Sequence, residues 1–292
     1  MSGTAQLVSI LRRVRRLYYR RRAARAFRGI PRTRREWCWC GGDLLPFQWH
    51  QSYGVCSICG SYANRRPLSL EGLTRLYALK SYWVLQQRAH GFPSIESRAE
   101  LYLRDGRVDF WVKLIEKYAP EKSRVIEVGC APGICLKVLA ERNWMCLGVE
   151  PSEDTAAWIR ARYRVDVKTG LFPELELPKC DLFLAFDVLE HSYDPGRFMK
   201  KVGDLLTPGG VAIIQTAIDR YSYVPPFGDR FADAFDDFEH LFLFTDGGMR
   251  ELAVHSGLDV VSLGERLWVL GEVAVFRKPV QCHSRSIERV DV

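Results

Sequence analysis

Residues 124–150 read RVIEVGCAPGICLKVLAERNWMCLGVE. A short apolar run, Val125 to Val128, enters a tight turn from Gly129 to Gly133. An amphipathic segment follows, and a second apolar run, Met145 to Val149, ends on Glu150. Strand, glycine loop, helix and second parallel strand form the opening unit of a nucleotide-binding α/β sheet. The function is expected to lie here.

A dinucleotide fingerprint beginning at Gly129 needs glycine at positions 131 and 134, where this chain has Ala131 and Ile134. The pyrophosphate cradle therefore fails, and NAD is not expected. What remains is Glu127 two residues before the first glycine, Gly129 and Gly133 around Cys130, Ala131 and Pro132, and Glu150 followed by Pro151. This set resembles the S-adenosylmethionine (AdoMet) motif of class I methyltransferases, with Ala131 in place of the middle glycine. AdoMet carries no phosphate, so the loop needs close backbone approach to an amino acid and a nucleoside. A carboxylate at the end of the second strand accepts both ribose hydroxyls.

The formal charge of +7 conceals an asymmetry, because residues 1–35 hold twelve arginines and no acid and leave the remainder at −5. Leu7, Ile10, Leu11, Val14, Leu17 and Tyr18 recur at helical spacing among those arginines, which predicts a basic amphipathic helix. Such an arm fits an anionic membrane surface or an acidic partner through residues 7–35; a targeting segment and a solubilising tail are the alternatives. No apolar run approaches the roughly 20 residues that cross a bilayer.

Cys38, Cys40, Cys56 and Cys59 form a C-x-C and a C-x-x-C pair flanked by Gly41, Gly42 and Gly60. Two thiolate pairs on facing turns make a tetrahedral site for structural Zn2+, a zinc ribbon, with no open position for catalysis. Disulfides are the competing expectation. The other five cysteines are scattered, as in a reduced cytoplasmic enzyme, here with an arm suited to the membrane periphery.

Ser69 to Gly91 and Asp105 to Tyr118, the latter with Val108, Trp111, Leu114, Ile115 and Tyr118 at helical spacing, read as helices separated by GFPS at 91–94, expected to connect the ribbon to the sheet and cover the cofactor cleft. Beyond Glu150 the alternation continues: helix 152–162, strand 165–168, strand 181–186, helix 195–206, strand 211–215, helix 246–256, and strands 258–263 and 268–276. Three further strings, CDLFLAFDVLEHSYDP (180–195), LLTPGG (205–210) and HLFLFTDGGMRELAVHSGLDVV (240–261), resemble segments of the same methyltransferase family in the same order. The resemblance implies an α/β fold: a Rossmann-like seven-stranded methyltransferase sheet with helices on both faces and an antiparallel last strand, preceded by a zinc-ribbon unit and a basic amphipathic N-terminal helix. The expected division is an arm (1–35), ribbon (36–66), helical linker or cap (67–120), methyltransferase domain (121–280) and tail (281–292).

Methyl transfer from a sulfonium is an in-line displacement that asks the protein for alignment, exclusion of water and, for a hydroxyl or carbon nucleophile, removal of a proton. The candidates follow the fourth strand of the sheet. Phe186 is expected near AdoMet, with Asp187, Glu190 and His191 within one turn beyond it, and His191 is the better base because an imidazole titrates near neutrality. The same three would alternatively hold a divalent ion, as resemblance to quinone-biosynthesis O-methyltransferases implies, or merely bond the loop. Tyr221 to His240 is rich in aromatic residues and is expected to cover a flat or apolar acceptor, with His240 or Glu239 reaching the cleft. The expected acceptor is a small molecule: a sugar or glycan unit, a quinone precursor or another metabolite. RNA methylation is the alternative, weakened by the acidic body, and a non-catalytic ribbon module is a third.

Overall fold

The computed structural model describes residues 28–78, 92–119, 123–219, 239–265 and 271–280, with positions 14, 18, 19, 21, 22, 25, 84, 85, 88, 121 and 235. Most of the arginine arm, most of the aromatic segment 221–238 and the tail 281–292 lie outside the described residues, as do Tyr82, Trp83 and Trp268.

Three short strands come first: β1 (Leu44–Pro46), β2 (Tyr53–Cys56) and β3 (Tyr62–Asn64). Helices α1 (Leu70–Ala78), α2 (Ile95–Arg104) and α3 (Arg107–Tyr118) lead to β4 (Arg124–Val128), α4 (Ile134–Ala140), β5 (Met145–Glu150), α5 (Glu153–Tyr163) and β6 (Asp166–Thr169). Then come β7 (Cys180–Phe186), a 3₁₀ turn (Leu189–His191), α6 (Pro195–Leu205), β8 (Leu206–Thr216), β9 (Ile218–Asp219), β10 (Phe242–Thr245), α7 (Asp246–Ser256), β11 (Asp259–Glu265) and β12 (Glu272–Arg277).

The main sheet has seven strands in the order β11-β12-β8-β7-β4-β5-β6. β4, β5, β6, β7 and β8 are parallel, while β12 is antiparallel to both neighbours, as the family resemblance implied. Val125, Ile126, Leu182, Phe183 and Leu184 are fully buried, because helices cover both faces and leave central strands no polar side. Helix starts are set by local chemistry. Ser152, Asp194 and Thr245 cap α5, α6 and α7 by accepting a backbone N–H, and Ser94 and Ser97 form a reciprocal capping box on α2.

Four sequence expectations change. Helix α2 occupies 95–104, a stretch to which the sequence reading gave no element. The predicted strand 211–215 begins at Leu206 and takes the TPGG turn into its length. The ribbon, expected to stand apart, shares a sheet of order β1-β2-β3-β10-β9 with the body: Phe242 and Leu243 pair with Ala63 and Tyr62. Leu44, Ala63, Leu68 and Leu73 accordingly sit in one core with Phe198, Phe242 and Leu252. The β3 edge, which would otherwise present unpaired backbone groups, is satisfied by β10. The arm boundary also moves. Arg32 bridges Leu68, the Thr33 and Arg35 amides donate to Pro67 and Arg65, and the half-buried Arg35 side chain bonds the Leu241 and Tyr193 carbonyls, so residues 32–35 pack with the ribbon.

Among the described residues, no helix is long and apolar enough to cross a membrane.

Candidate active site and cysteine cluster

The glycine loop is fixed by its own backbone: the Gly129 and Cys130 amides both donate to the Val149 carbonyl, and Gly133 donates to Cys130. Gly129 and Gly133 have φ of 65° and 83°, conformations that favour glycine. A Cβ at Gly129 would lie 2.5 Å from Val188, and one at Gly133 would lie 2.6 Å from Ile159. From the sequence, these glycines were expected to permit close approach of a ligand. The structure shows that they admit neighbouring side chains.

A cleft at the carboxyl ends of β4 and β7 is lined by Glu127, Gly129, Cys130, Ala131, Phe186 and Asp187 of the expected set. Gly133, Glu150 and Pro151 do not line it. Gly133 packs under α5, and Glu150 is fully buried beside the loop, where its Oε1 accepts the Ser152 amide at 3.0 Å. Burial pushes the carboxyls of Glu127 and Glu150 up to about 8, against a backbone hydrogen bond from Leu136 on Glu127 and one from Ser152 on Glu150. One oxygen of each, Oε2, is buried without a hydrogen-bond partner among the described residues. Buried polar atoms are seldom left so, and two orphaned acceptors beside an open cleft fit a ligand that brings its own donors.

One wall of this cleft comes from the helices before β4: α3 was expected to cover the cofactor cleft, whereas α2 was not read from the sequence. Arg98 and Tyr102 come from α2 and Trp111 from α3. Arg98 Nε donates to the Tyr102 hydroxyl at 2.8 Å, and the Arg107 guanidinium lies 3.7 Å over the Tyr102 ring. Trp111 stacks on Phe186 at 4.1 Å with the rings 6° from parallel. Its indole N–H donates to Gln215 Oε1 at 2.9 Å, which orients the amide so that Nε2 donates to Asp187 Oδ1, also at 2.9 Å. Gln215 is fully buried at the end of an apolar strand. That polar interruption of VAIIQT was the one signal available.

Asp187, at φ 55°, turns the chain out of β7 into the 3₁₀ turn. Glu190 is buried: its Oε2 accepts the Thr216 hydroxyl at 2.7 Å, and its carbonyl accepts the Leu241 amide at 2.7 Å. His191 Nδ1 lies 2.9 Å from the Glu239 carbonyl. A carbonyl only accepts, so the proton sits on Nδ1 and Nε2 keeps its lone pair. The His240 ring meets His191 edge to face at 4.9 Å. The ligand atoms of Glu190, His191 and His240 all lie within 4.8 Å of one another. Asp187 stands outside this group, committed to Gln215, so the three-residue divalent site 187/190/191 is not the one the fold assembles.

In the ribbon, the sulfurs of Cys38, Cys40, Cys56 and Cys59 also lie within 4.8 Å of one another, with Cys38–Cys59 at 3.8 Å and Cys40–Cys56 at 3.4 Å. All four are free thiols. The short C-x-C pair closes because Gly41, at φ 85°, lets the chain reverse between Cys38 and Gly42. The Ile58 and Cys59 amides point at Cys56 Sγ, both at 3.4 Å, as donors that stabilise a thiolate.

Residues 98–263 match the model of a methyltransferase domain family. Over 158 residues the chain is 30% identical to a Mycolicibacterium smegmatis protein named "probable S-adenosylmethionine-dependent methyltransferase", covering 47% of this chain and 61% of that one. Over 100 residues it is 30% identical to the ubiquinone biosynthesis O-methyltransferase of Azorhizobium caulinodans, covering 32% of this chain and 40% of the relative. The chain thus spans between two fifths and three fifths of these relatives. Streptomyces venezuelae DesVI superposes with a TM-score of 0.50 at 16% identity, over 63% of this chain and 98% of DesVI, a likeness of fold.

Proposed function

The chain belongs to the methyltransferase domain family, and from that premise we propose that it transfers a methyl group from AdoMet to a hydroxyl or carbon of a small-molecule acceptor. AdoMet, when bound, supplies an electrophilic methyl on a sulfonium. The observation that carries its placement is the pair of orphaned carboxylate oxygens, Glu127 Oε2 and Glu150 Oε2, around a glycine loop that opens into the cleft. In this reading Glu150 takes the ribose hydroxyls, Glu127 and the loop of Gly129, Cys130 and Ala131 hold the amino-acid end, Gly133 closes that loop from beneath α5, Pro151 follows the ribose acceptor, and the Trp111–Phe186 stack walls the cleft near the methyl. Arg98 offers a guanidinium to the AdoMet carboxylate.

The acceptor's proton goes to His191 Nε2, whose lone pair is kept available by the Nδ1–H bond to Glu239. Asp187, held by Gln215, remains an acceptor for the substrate, and His240 steadies the imidazolium formed next to it. Labelled AdoMet incubated with extracted metabolites and with RNA tests the function: label is expected in the small-molecule fraction and absent from RNA. Label confined to RNA would overturn the acceptor class.

The proximity of Glu190, His191 and His240 favours a second reading, a divalent cation on those three. Chelation separates the two: a base mechanism survives EDTA, and a cation mechanism does not. The four cysteines fit a structural Zn2+ by donor number, sulfur spacing and the amides aimed at Cys56. One zinc per chain is expected by metal analysis.

A further inference from the structure

The His191–His240 pair is gripped from the ribbon side. Tyr53 of β2, 1% exposed, donates its hydroxyl to the His240 carbonyl at 2.7 Å. Arg35 donates Nη1 to the Leu241 carbonyl at 3.3 Å and Nη2 to the Tyr193 carbonyl at 2.9 Å, with its guanidinium 4.2 Å over the Phe242 ring. One side chain therefore ties the segment leaving His191 to the strand leaving His240, and the Leu241 amide bonded to Glu190 closes the loop between them. The Cys59 carbonyl accepts the Thr245 hydroxyl at 2.8 Å at the far end of β10, and Thr245 caps α7.

A second group of contacts reaches the aromatic segment before His240. Phe235 stacks on Phe47 and His50 at 5.6 and 5.3 Å and meets Tyr53 and Tyr62 edge to face at 5.0 and 5.5 Å. All four partners are ribbon residues.

We propose that the ribbon is the positioning half of the acceptor site: Tyr53 and Arg35 set the His240 backbone and through it the His191 imidazole, and the ribbon's aromatic face docks Phe235. Among the described residues, the hydrogen bonds of the Tyr53 and Arg35 side chains run to the His240, Leu241 and Tyr193 carbonyls, outside the cleft residues that would hold AdoMet. The ribbon thereby governs the acceptor half of the reaction and leaves the AdoMet half alone. The inference rests on His191 being the base, but its geometry is testable without any acceptor.

The test uses the full chain with ¹⁵N-labelled histidine, the His191 and His240 signals being assigned with His191→Gln and His240→Gln. Tyr53→Phe keeps the ring and removes only the hydroxyl. Both imidazole signals are expected to shift in Tyr53→Phe, while AdoMet affinity by calorimetry stays within about twofold. Leu45→Ala, on the exposed side of the ribbon, is expected to move neither signal. Arg35→Lys, which keeps the charge and loses one carbonyl contact, serves as a second variant if Tyr53→Phe does not fold. Imidazole signals at wild-type positions in a folded variant would overturn the proposal. So would a tenfold loss of AdoMet affinity, or Leu45→Ala moving the signals as far as Tyr53→Phe, because each would make the ribbon a general scaffold. Shifted imidazoles without methyl transfer to any small molecule would leave the positioning standing and remove the chemistry assigned to His191.

Discussion

Glu150 illustrates how a residue can be identified by position and explained only by its surroundings. Its place at the end of β5 marked it in the sequence, but its full burial and unpartnered oxygen are tertiary facts. A carboxyl whose folded-state value rises to about 8 binds more protons folded than unfolded between about 4.5 and 8. Stability of the ligand-free protein therefore falls as pH rises through that window, and Glu127 adds to the same slope. Glu150→Gln, which cannot ionise, is expected to flatten part of the decline in melting temperature between pH 5 and 8; an unchanged slope would mean that the Glu150 carboxyl does not titrate there. A ligand that donates hydroxyls to these oxygens favours the ionised form, so AdoMet binding near pH 7 is expected to release protons. Calorimetry in buffers of different ionisation enthalpy measures that release. His191→Ala should lower turnover on the true acceptor by roughly 10²–10⁴, the worth of a general base, with AdoMet affinity kept. Near-normal turnover would remove it from that role.

At the scale of elements, β4, β5, β7 and α4 to α7 were legible because hydrophobic period and caps agree there. Ser152, read as an N-cap, starts α5 in the structure, and the expected helix 246–256 is α7, capped by Thr245. Helix α2 was not legible. Half of IESRAELYLR is charged or serine, and its capping box uses serine at both positions, where glutamate usually gives the signal. With α2 went Arg98 and Tyr102, while α3 was expected over the cofactor cleft from its place just before the first strand, and Trp111 is the residue by which it lines it. β10 was half legible: HLFLFT resembles the family's segment, but its pairing with β3 depends on a segment some 180 residues away, which no local pattern reports. The glycine loop carries a prediction at this scale. Gly129→Ala places a methyl against Val188 in a left-handed conformation and is expected to destabilise by about 1–3 kcal/mol, as overpacking does. Adding Val188→Ala should recover part of the loss in a denaturant melt, and no recovery would mean that backbone strain, not packing, sets the cost.

Across the whole molecule, the ribbon, the sheet and the loops after β7 and β8 share one core, so removal of the proposed zinc is expected to be felt in the body. Chelation at the four cysteines is expected to lower the melting temperature of the entire chain in one transition; a separate early transition would mean the ribbon melts alone. Residues 1–27 hold eight of the arm's twelve arginines. Their removal should leave the fold intact and abolish salt-sensitive binding to anionic vesicles, if the arginine arm is the membrane contact that its charge suggests. Retained vesicle binding would place that contact elsewhere. Glu127 lines the cleft beside the glycine loop and Glu150 lies buried behind that loop, and AdoMet binding there is the central claim. Its most direct measurement is calorimetric titration of AdoMet into the wild-type protein and into folded Glu150→Ala. The account predicts one AdoMet per chain and a loss of about 1.5–3 kcal/mol in the variant, the range for hydrogen bonds to a charged group. An absence of binding by the wild-type protein, or equal affinity in the variant, would contradict it.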